Sequence, residues 1–202
     1  MNETTILGSD GLPRCRWCAA APEFLDYHDL EWGWPVADDC RLFEKLCLEG
    51  FQSGLSWRTI LAKRENFRRA FDRFDFNRIA CYTEKDVARL LANSGIVRHR
   101  GKIEAVINNA HKALELIERE GSLAAFVWRY EAPPDPTLKP QTQSTSPASL
   151  ALSKELKKRG WKFVGPTTVY AFMQAMGLVN DHAEDCVVRA RVEQARADFV
   201  RP

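Results

Sequence analysis

The residues of this chain best suited to chemistry fall in three places. Near the two ends stand metal-type pairs, Cys15 with His28 and His182-x3-Cys186. Zn²⁺ takes thiolate and imidazole ligands in a tetrahedron, so these residue types suit a Cys2His2 site that clasps one end of the chain to the other. Cys18 keeps a rival open: Cys15-x2-Cys18 is itself a metal or redox spacing, and a set of Cys15, Cys18, His182 and Cys186 would leave His28 free. A free cysteine is also an ordinary small buried hydrophobe.

The second place is Leu48 to Trp57, where Gly50 and Gly54 interrupt two good helical patterns and Glu49, Gln52 and Trp57 are set to point somewhere in common. Tyr27, Trp32 and Trp17 add aromatic surface from Tyr27-His28-Asp29-Leu30-Glu31-Trp32-Gly33 and just before it. Flat aromatic walls with one acid make a slot for a planar base: the walls stack, and the carboxylate accepts from exocyclic N–H groups or favours a cationic ring. Core packing competes with this reading for any single tryptophan, as does a solvated helix end for Glu49. The third place runs from Lys157 to Thr168, a helix ending in cations, a glycine-bearing hairpin and a helix opening with Pro166. The first amides of that second helix, at Thr167 and Thr168, lack intrahelical acceptors and sit at the positive end of its dipole. A phosphate binds such a terminus, Gly165 lets a partner backbone come close, and Lys158 and Lys162 add charge for a nucleic-acid strand. Arg98-His99-Arg100-Gly101-Lys102 is a second, weaker basic cluster at a helix start.

The elements that must position these residues are almost all helices. Leu42, Phe43, Leu46 and Cys47 form an apolar stripe, and Ser56 can cap a helix carrying Trp57, Ile60, Leu61, Phe67 and Phe71. Thr83 with Asp86 resembles a capping box, and Gly95 is placed to end that helix. Residues 102–119 make the clearest amphipathic helix, and Ser122 can cap a shorter one after it. Residues 131–148 carry five prolines and a run of Gln, Ser and Thr, which reads as a long surface loop. Two further helices span roughly 149–159 and 166–178. The pattern predicts an all-α domain of about seven to nine helices.

Composition sets the outer limits. A chain of 202 residues with 45% apolar content can bury one sizeable core. The net charge of +2 does not by itself announce a nucleic-acid binder. Residues 1–13 have neither a basic start nor an apolar run, so no signal peptide is expected, and no stretch reaches membrane-spanning length. Six irregularly spaced cysteines suit a reducing cytoplasm better than a disulfide framework.

Five separated segments resemble the 3-methyladenine DNA glycosylase I family: Tyr27-His-Asp-x-Glu-Trp-Gly33, Cys47-Leu-Glu-Gly-x-Gln-x-Gly-Leu-Ser-Trp57, Gly95-Ile-x-Arg-His-Arg-Gly-Lys-Ile103, Leu156-Lys-Lys-Arg-Gly-x-Lys-Phe-Val-Gly165 and Met176-Gly-Leu-Val-Asn-Asp-His182. The match runs from about Pro13 to Cys186. It implies a helix–hairpin–helix glycosylase fold. Residues 14–186 are expected to form one domain, 1–13 a flexible extension, and 187–202, which follow no motif of the family, a basic, partly helical or disordered tail. By matching position it implies one structural zinc held by Cys15, His28, His182 and Cys186, with Cys18 a bystander. The implied base pocket has Glu49 as its catalytic carboxylate, accepting from the base, and Tyr27 and Trp57 as walls, with Trp17, Trp32 and Gln52 nearby. Phe24 stands where a tyrosine is common in the family, so any contact made by that hydroxyl is missing. The implied partner is alkylated double-stranded DNA met by a monomer, held at Gly165, Thr167, Thr168, Lys162 and Lys158. No lysine lies within the pocket motifs, so a monofunctional enzyme without lyase activity is expected. A catalytically inert helical DNA-binding module would leave Glu49 to Trp57 unexplained. A zinc hydrolase would need three protein ligands and an open position rather than four.

Overall fold

The computed structural model describes residues 4–131, 133 and 137–202, and these are mostly helical. A short antiparallel hairpin comes first, β1 (Thr5–Leu7) on β2 (Pro13–Cys15), with Thr5 opposite Cys15. The expected flexibility of 1–13 is replaced over residues 4–13 by this hairpin. Arg14 holds its turn by bonding Asp10 at 2.8 Å, and reaches Asp29 at 2.9 Å to tie the hairpin to the first helix. Residues 1–3 lie outside the described residues.

The helices follow in order: α1 (Glu23–Leu30), α2 (Asp39–Gln52), α3 (Trp57–Ala62), α4 (Arg64–Ala70), α5 (Phe76–Ile79), α6 (Glu84–Ala92), α7 (Arg100–Glu120), α8 (Leu123–Trp128), α9 (Pro147–Lys158), α10 (Pro166–Ala175) and α11 (Arg189–Asp198). That is more pieces than the apolar pattern predicts. The stripe from Trp57 to Phe71 breaks at Lys63, whose own N–H bonds back to Ile60, and gives two short helices. Tyr27 and His28 lie on α1, which the polar and aromatic mixture of that segment hides from an amphipathic template. The capping signals hold: Ser56 accepts from the Thr59 amide, Asp86 accepts from the Thr83 amide at 2.9 Å, and Ser122 accepts from the Ala125 amide at 2.8 Å. Gly95 does not end α6, because Asn93 ends it and its side chain accepts from the Gly95 amide instead.

Helix α2 is the axis of the core, buried from Leu42 to Phe51. Phe51 packs on Phe67 at 4.6 Å between ring centres, and Phe67 stacks on Phe71. Helix α10 also packs on α2, and the hairpin before it comes close at Gly50, where a Cβ would stand 3.2 Å from that of Phe163. Gly177 is similarly forced. Its φ of +79° is costly for any other residue, and a Cβ would meet the Pro35 backbone at 2.5 Å. The tail is not a loose extension. On α11, Val192 and Arg196 are buried, and beyond it Phe199 lies 4.5 Å from the ring of Trp128.

Asp39, at the start of α2, accepts from the amides of Leu123 and Ala124 at 3.1 and 2.8 Å, so its carboxylate closes the N-terminus of α8. Asp39→Ala should lower unfolding free energy by about 1–2 kcal/mol, the usual cost of losing a helix cap. Urea titration followed by circular dichroism reads this directly, and Asp39→Asn should recover part of the loss.

Candidate metal centre and aromatic slot

Four side chains from the two ends of the chain converge. Cys15 closes β2, His28 lies in the last turn of α1, and His182 and Cys186 lie in the coil between α10 and α11. All four are buried, and their ligand atoms lie within 4.8 Å of one another. His28 Nε2 and His182 Nδ1 are 3.3 Å apart, and the sulfur–nitrogen separations are 3.5 Å for Cys186–His28 and 3.7 Å for Cys15–His182 and Cys186–His182. A zinc tetrahedron with bonds of about 2.3 Å to sulfur and 2.05 Å to nitrogen has edges of about 3.3 Å (N–N) and 3.6 Å (N–S). The donor set therefore fits a metal ion of that size and could hold one. Cys18 lies outside the group, and burial pushes its thiol up to about 11.

The surroundings of the four are those of a metal site as well. His28 turns its other nitrogen to Asp29 at 2.6 Å, and His182 turns its Nε2 to the Trp32 carbonyl at 3.0 Å, which fixes both rings. The Cys15 sulfur accepts from Gln141 Nε2 at 3.0 Å and from the Ala183 amide at 3.3 Å. The hydrogen bond from Cys15, with others from His182 and His28, pushes the Cys186 thiol down to about 2, and Cys15 goes up correspondingly. Gly33, at φ +87°, lets the chain pass beside His182, where a Cβ would stand 3.0 Å from the ring.

One residue before His28, Tyr27 points away from the four ligands, into a slot between α1, α2 and α3. Its ring centre is 5.3 Å from that of Trp57. Glu49, on α2, is buried, and among the described residues its Oε2 has no hydrogen-bond partner; neither has the indole N–H of Trp57. The structure also puts into the slot a residue that the sequence reading leaves out. Lys45, one turn before Glu49, meets Glu49 Oε1 at 2.7 Å and donates to the Tyr27 hydroxyl at 2.8 Å. Its i, i+4 spacing to Glu49 is the signal that could have found it. Burial, with Glu49 and Glu31 adding, pushes the Tyr27 phenol well up, and burial pulls the Lys45 ammonium down.

The remaining aromatic residues are not all in the slot. Trp17 lies 6.2 Å from Tyr27 but 5.1 Å from Trp32 and 5.3 Å from His28. Trp32 packs against His182 at 4.7 Å, on the metal-centre side. Phe24 is buried 5.8 Å from Trp17. Gln52 is half-buried at the end of α2, where its carbonyl accepts from the Leu55 amide.

Helices α9 and α10 flank a hairpin whose backbone is tightly held. Asn109 on α7 accepts from the Lys162 amide at 2.8 Å and donates to the Lys162 carbonyl at 2.9 Å, and Ser153 donates to Val164 at 2.6 Å. Gly165 caps α10, and a Cβ there would meet nothing nearer than Thr168 Oγ1 at 3.9 Å, so the space is open. Lys158, Lys162 and Thr167 are exposed and Thr168 is half-buried. Arg159 is committed to Glu120 and Glu155. In the second basic cluster Arg100 pairs with Glu84 and Glu104, and Lys102 is buried, so that cluster is largely structural.

Comparison with known proteins agrees on one family. The methyladenine glycosylase family model matches residues 17–190. DNA-3-methyladenine glycosylase 1 of Escherichia coli (strain K12) is 49% identical over 180 residues, which span 87% of this chain and 96% of that protein. The Haemophilus influenzae DNA-3-methyladenine glycosylase is 47% identical over 177 residues, 86% of this chain and 96% of its own. A crystal structure of 3-methyladenine DNA glycosylase I superimposes with a TM-score of 0.80 at 52% identity, covering 86% of this chain and 98% of that one. A tyrosine-to-phenylalanine variant of such an enzyme, in complex with 3-methyladenine, gives 0.82 at 37% identity over 87% of this chain and 97% of its own.

Lys102 makes the loop between Glu49 and Trp57 rigid: its ammonium donates to the carbonyls of Phe51 at 2.8 Å and Ser53 at 2.5 Å, at the C-terminus of α2. Lys102→Met should cost about 1–3 kcal/mol of stability, since it leaves buried acceptors unpaired. Amide hydrogen exchange should quicken at residues 52–56 more than elsewhere. Unchanged exchange there would remove Lys102 from the support of the loop.

Proposed function

The chain belongs to the methyladenine glycosylase family, and on that premise we propose that it is a monofunctional DNA repair enzyme that excises 3-methyladenine from alkylated DNA. The observation that carries this reading is the unpartnered Oε2 of buried Glu49 beside the rings of Tyr27 and Trp57. A buried acceptor left open costs free energy unless a ligand fills it. The exocyclic amine of a flipped adenine is a donor of the right kind, and its ring stacks on the aromatic walls.

Alkylation at N3 makes the base a cation and weakens its bond to the sugar, so a strong general acid is not required. Glu49 complements the positive charge and accepts from the amino edge, while Tyr27 and Trp57 stack and Gln52 borders the entrance. Trp17 and Trp32 act at one remove, as a wall joining Tyr27 to the metal centre. The glycosidic bond breaks with its electron pair on the base, which leaves neutral. Water adds its oxygen to C1′ and releases a proton, which gives an abasic site. Flipping the nucleotide costs a few kcal/mol, least for a damaged base, and contacts to the backbone must supply it. The open N-terminus of α10 at Gly165, Thr167 and Thr168, with Lys158 and Lys162, is the place we assign to one strand. Asp181 is not assigned a catalytic part, because it is buried and accepts from the Gln141 amide at 2.8 Å and from Gln174 at 2.5 Å. Lys45, paired and buried, is not positioned as a free amine for a lyase step.

Cys15, His28, His182 and Cys186 are assigned to one structural zinc ion, since four protein ligands leave no open position. Residues 4–13 of the hairpin and α11 are read as additions packed on a catalytic domain spanning 14–186.

Glu49→Gln should lower release of 3-methyladenine from methylated duplex DNA on the order of a hundredfold, the scale of removing one preorganised polar contact. Metal content should not change. Equal rates in the two proteins would remove Glu49 from the reaction. Elemental analysis should find one zinc ion per chain, lost in Cys186→Ser together with several degrees of thermal stability. Replacement of zinc by cobalt should leave the rate of base release as it was; a changed rate would make the metal part of the chemistry.

A further inference from the structure

Lys45 is a group in the slot that the reaction above does not use. Its side chain is 7% exposed, and its Nζ stands 3.4 Å from the centre of the Trp57 ring while bonded to Glu49 and Tyr27. These are the three groups assigned to the base. A cation over an indole face beside a carboxylate also describes an alkylated adenine in this slot. The two cannot be in place together. The cavity beside Lys45 measures about 20 Å³, room for about one water. The acids that line it, Glu31 and Glu44, are already held, Glu31 by Arg64 and Glu44 by Arg68.

We propose that Lys45 is an internal competitor for the slot: a flipped base enters by displacing the Lys45 ammonium from Glu49 and Trp57, and the ammonium returns as the base leaves. The long unbranched stem of lysine permits the swing. The exchange is asymmetric in a useful way. The alkylated nucleotide arrives as a cation and restores the charge that Glu49 loses when Lys45 withdraws. Once the glycosidic bond is broken the base is neutral and no longer matches the ammonium, so Lys45 regains the carboxylate and expels the product. An unmodified adenine, neutral from the start, is opposed in the same way. This rests on the slot being the base site.

The test compares wild type with Lys45→Met and Lys45→Gln, both uncharged and of similar reach. Affinity for free 3-methyladenine is read from tryptophan fluorescence, and base release from methylated duplex DNA is measured alongside. Both variants should bind the free base at least tenfold more tightly than wild type. In wild type, the slowly exchanging ammonium signal of Lys45 in ¹⁵N NMR should shift to that of an exposed lysine when free 3-methyladenine is added to saturation. If all three proteins release the base but bind it equally well, or the variants bind it more weakly, Lys45 does not compete and the glycosylase reading stands. If none of them binds or releases the base, the slot is not the base site and the Lys45 proposal falls with it.

Discussion

The convergence of Cys15 and His28 with His182 and Cys186 is the constraint on which the rest of the site depends. It joins the first hairpin and α1 to the coil after α10, and so fixes α1 against the remainder of the molecule. Tyr27 and His28 are consecutive on that helix, and consecutive helical positions point about 100° apart. With His28 held at the cluster, Tyr27 can only turn toward α2 and α3. Its distance of 5.3 Å from Trp57 is thus set by the cluster at its back. Gln141 and Ala183 donate to Cys15, and Asp29 and the Trp32 carbonyl hold the two imidazoles, so the arrangement extends well beyond its four members.

Charge inside α2 is the second constraint. Lys45 and Glu49 are both buried, and removing two ions from water costs more than an ordinary pair returns. Apolar residues of similar volume would stabilise the helix better. Under the proposed function the pair has a use: the carboxylate would receive a cationic base, and a carboxylate buried without any cation would be costlier still. Neighbouring pairs, Arg64 with Glu31 at 2.5 Å and Arg68 with Glu44 at 2.7 Å, keep the floor of the slot electrically closed.

How much of this is legible in the sequence depends on the kind of signal. The N-terminal helix caps and the glycine-marked hairpin are local, and they appear in the structure where their residues place them, whereas Gly95 gives up the end of α6 to Asn93. The choice between His28 and Cys18 is not local, because it depends on where α1 directs its side chains, and only folding decides it. Lys45 sits within the apolar stripe of Leu42, Phe43, Leu46 and Cys47, where a lysine reads as the solvated side of an amphipathic helix. It is buried because α1 and α3 cover that side as well, a tertiary fact. The hairpin of residues 4–15 and the docking of α11 are invisible for a similar reason. Each is held by scattered long-range contacts, among them Arg14 with Asp29 and Arg196 with Glu131, rather than by a periodic pattern.

Helix α7 links the two halves of the proposed chemistry. Lys102 closes the C-terminus of α2, from which the Glu49–Trp57 loop departs, and Asn109 grips the backbone of the hairpin at Lys162. The two lie about two turns apart on one face of the same helix, roughly 10 Å along its axis. Phe163 of that hairpin comes within a methyl group's distance of Gly50 on α2, so the hairpin and the slot helix also touch directly. A strand held at Gly165 would therefore present its nucleotide to the slot at an offset set by one helix and one close contact rather than by a flexible linker. Base excision needs such an offset, because a nucleotide turned out of the duplex has little freedom to search for its pocket.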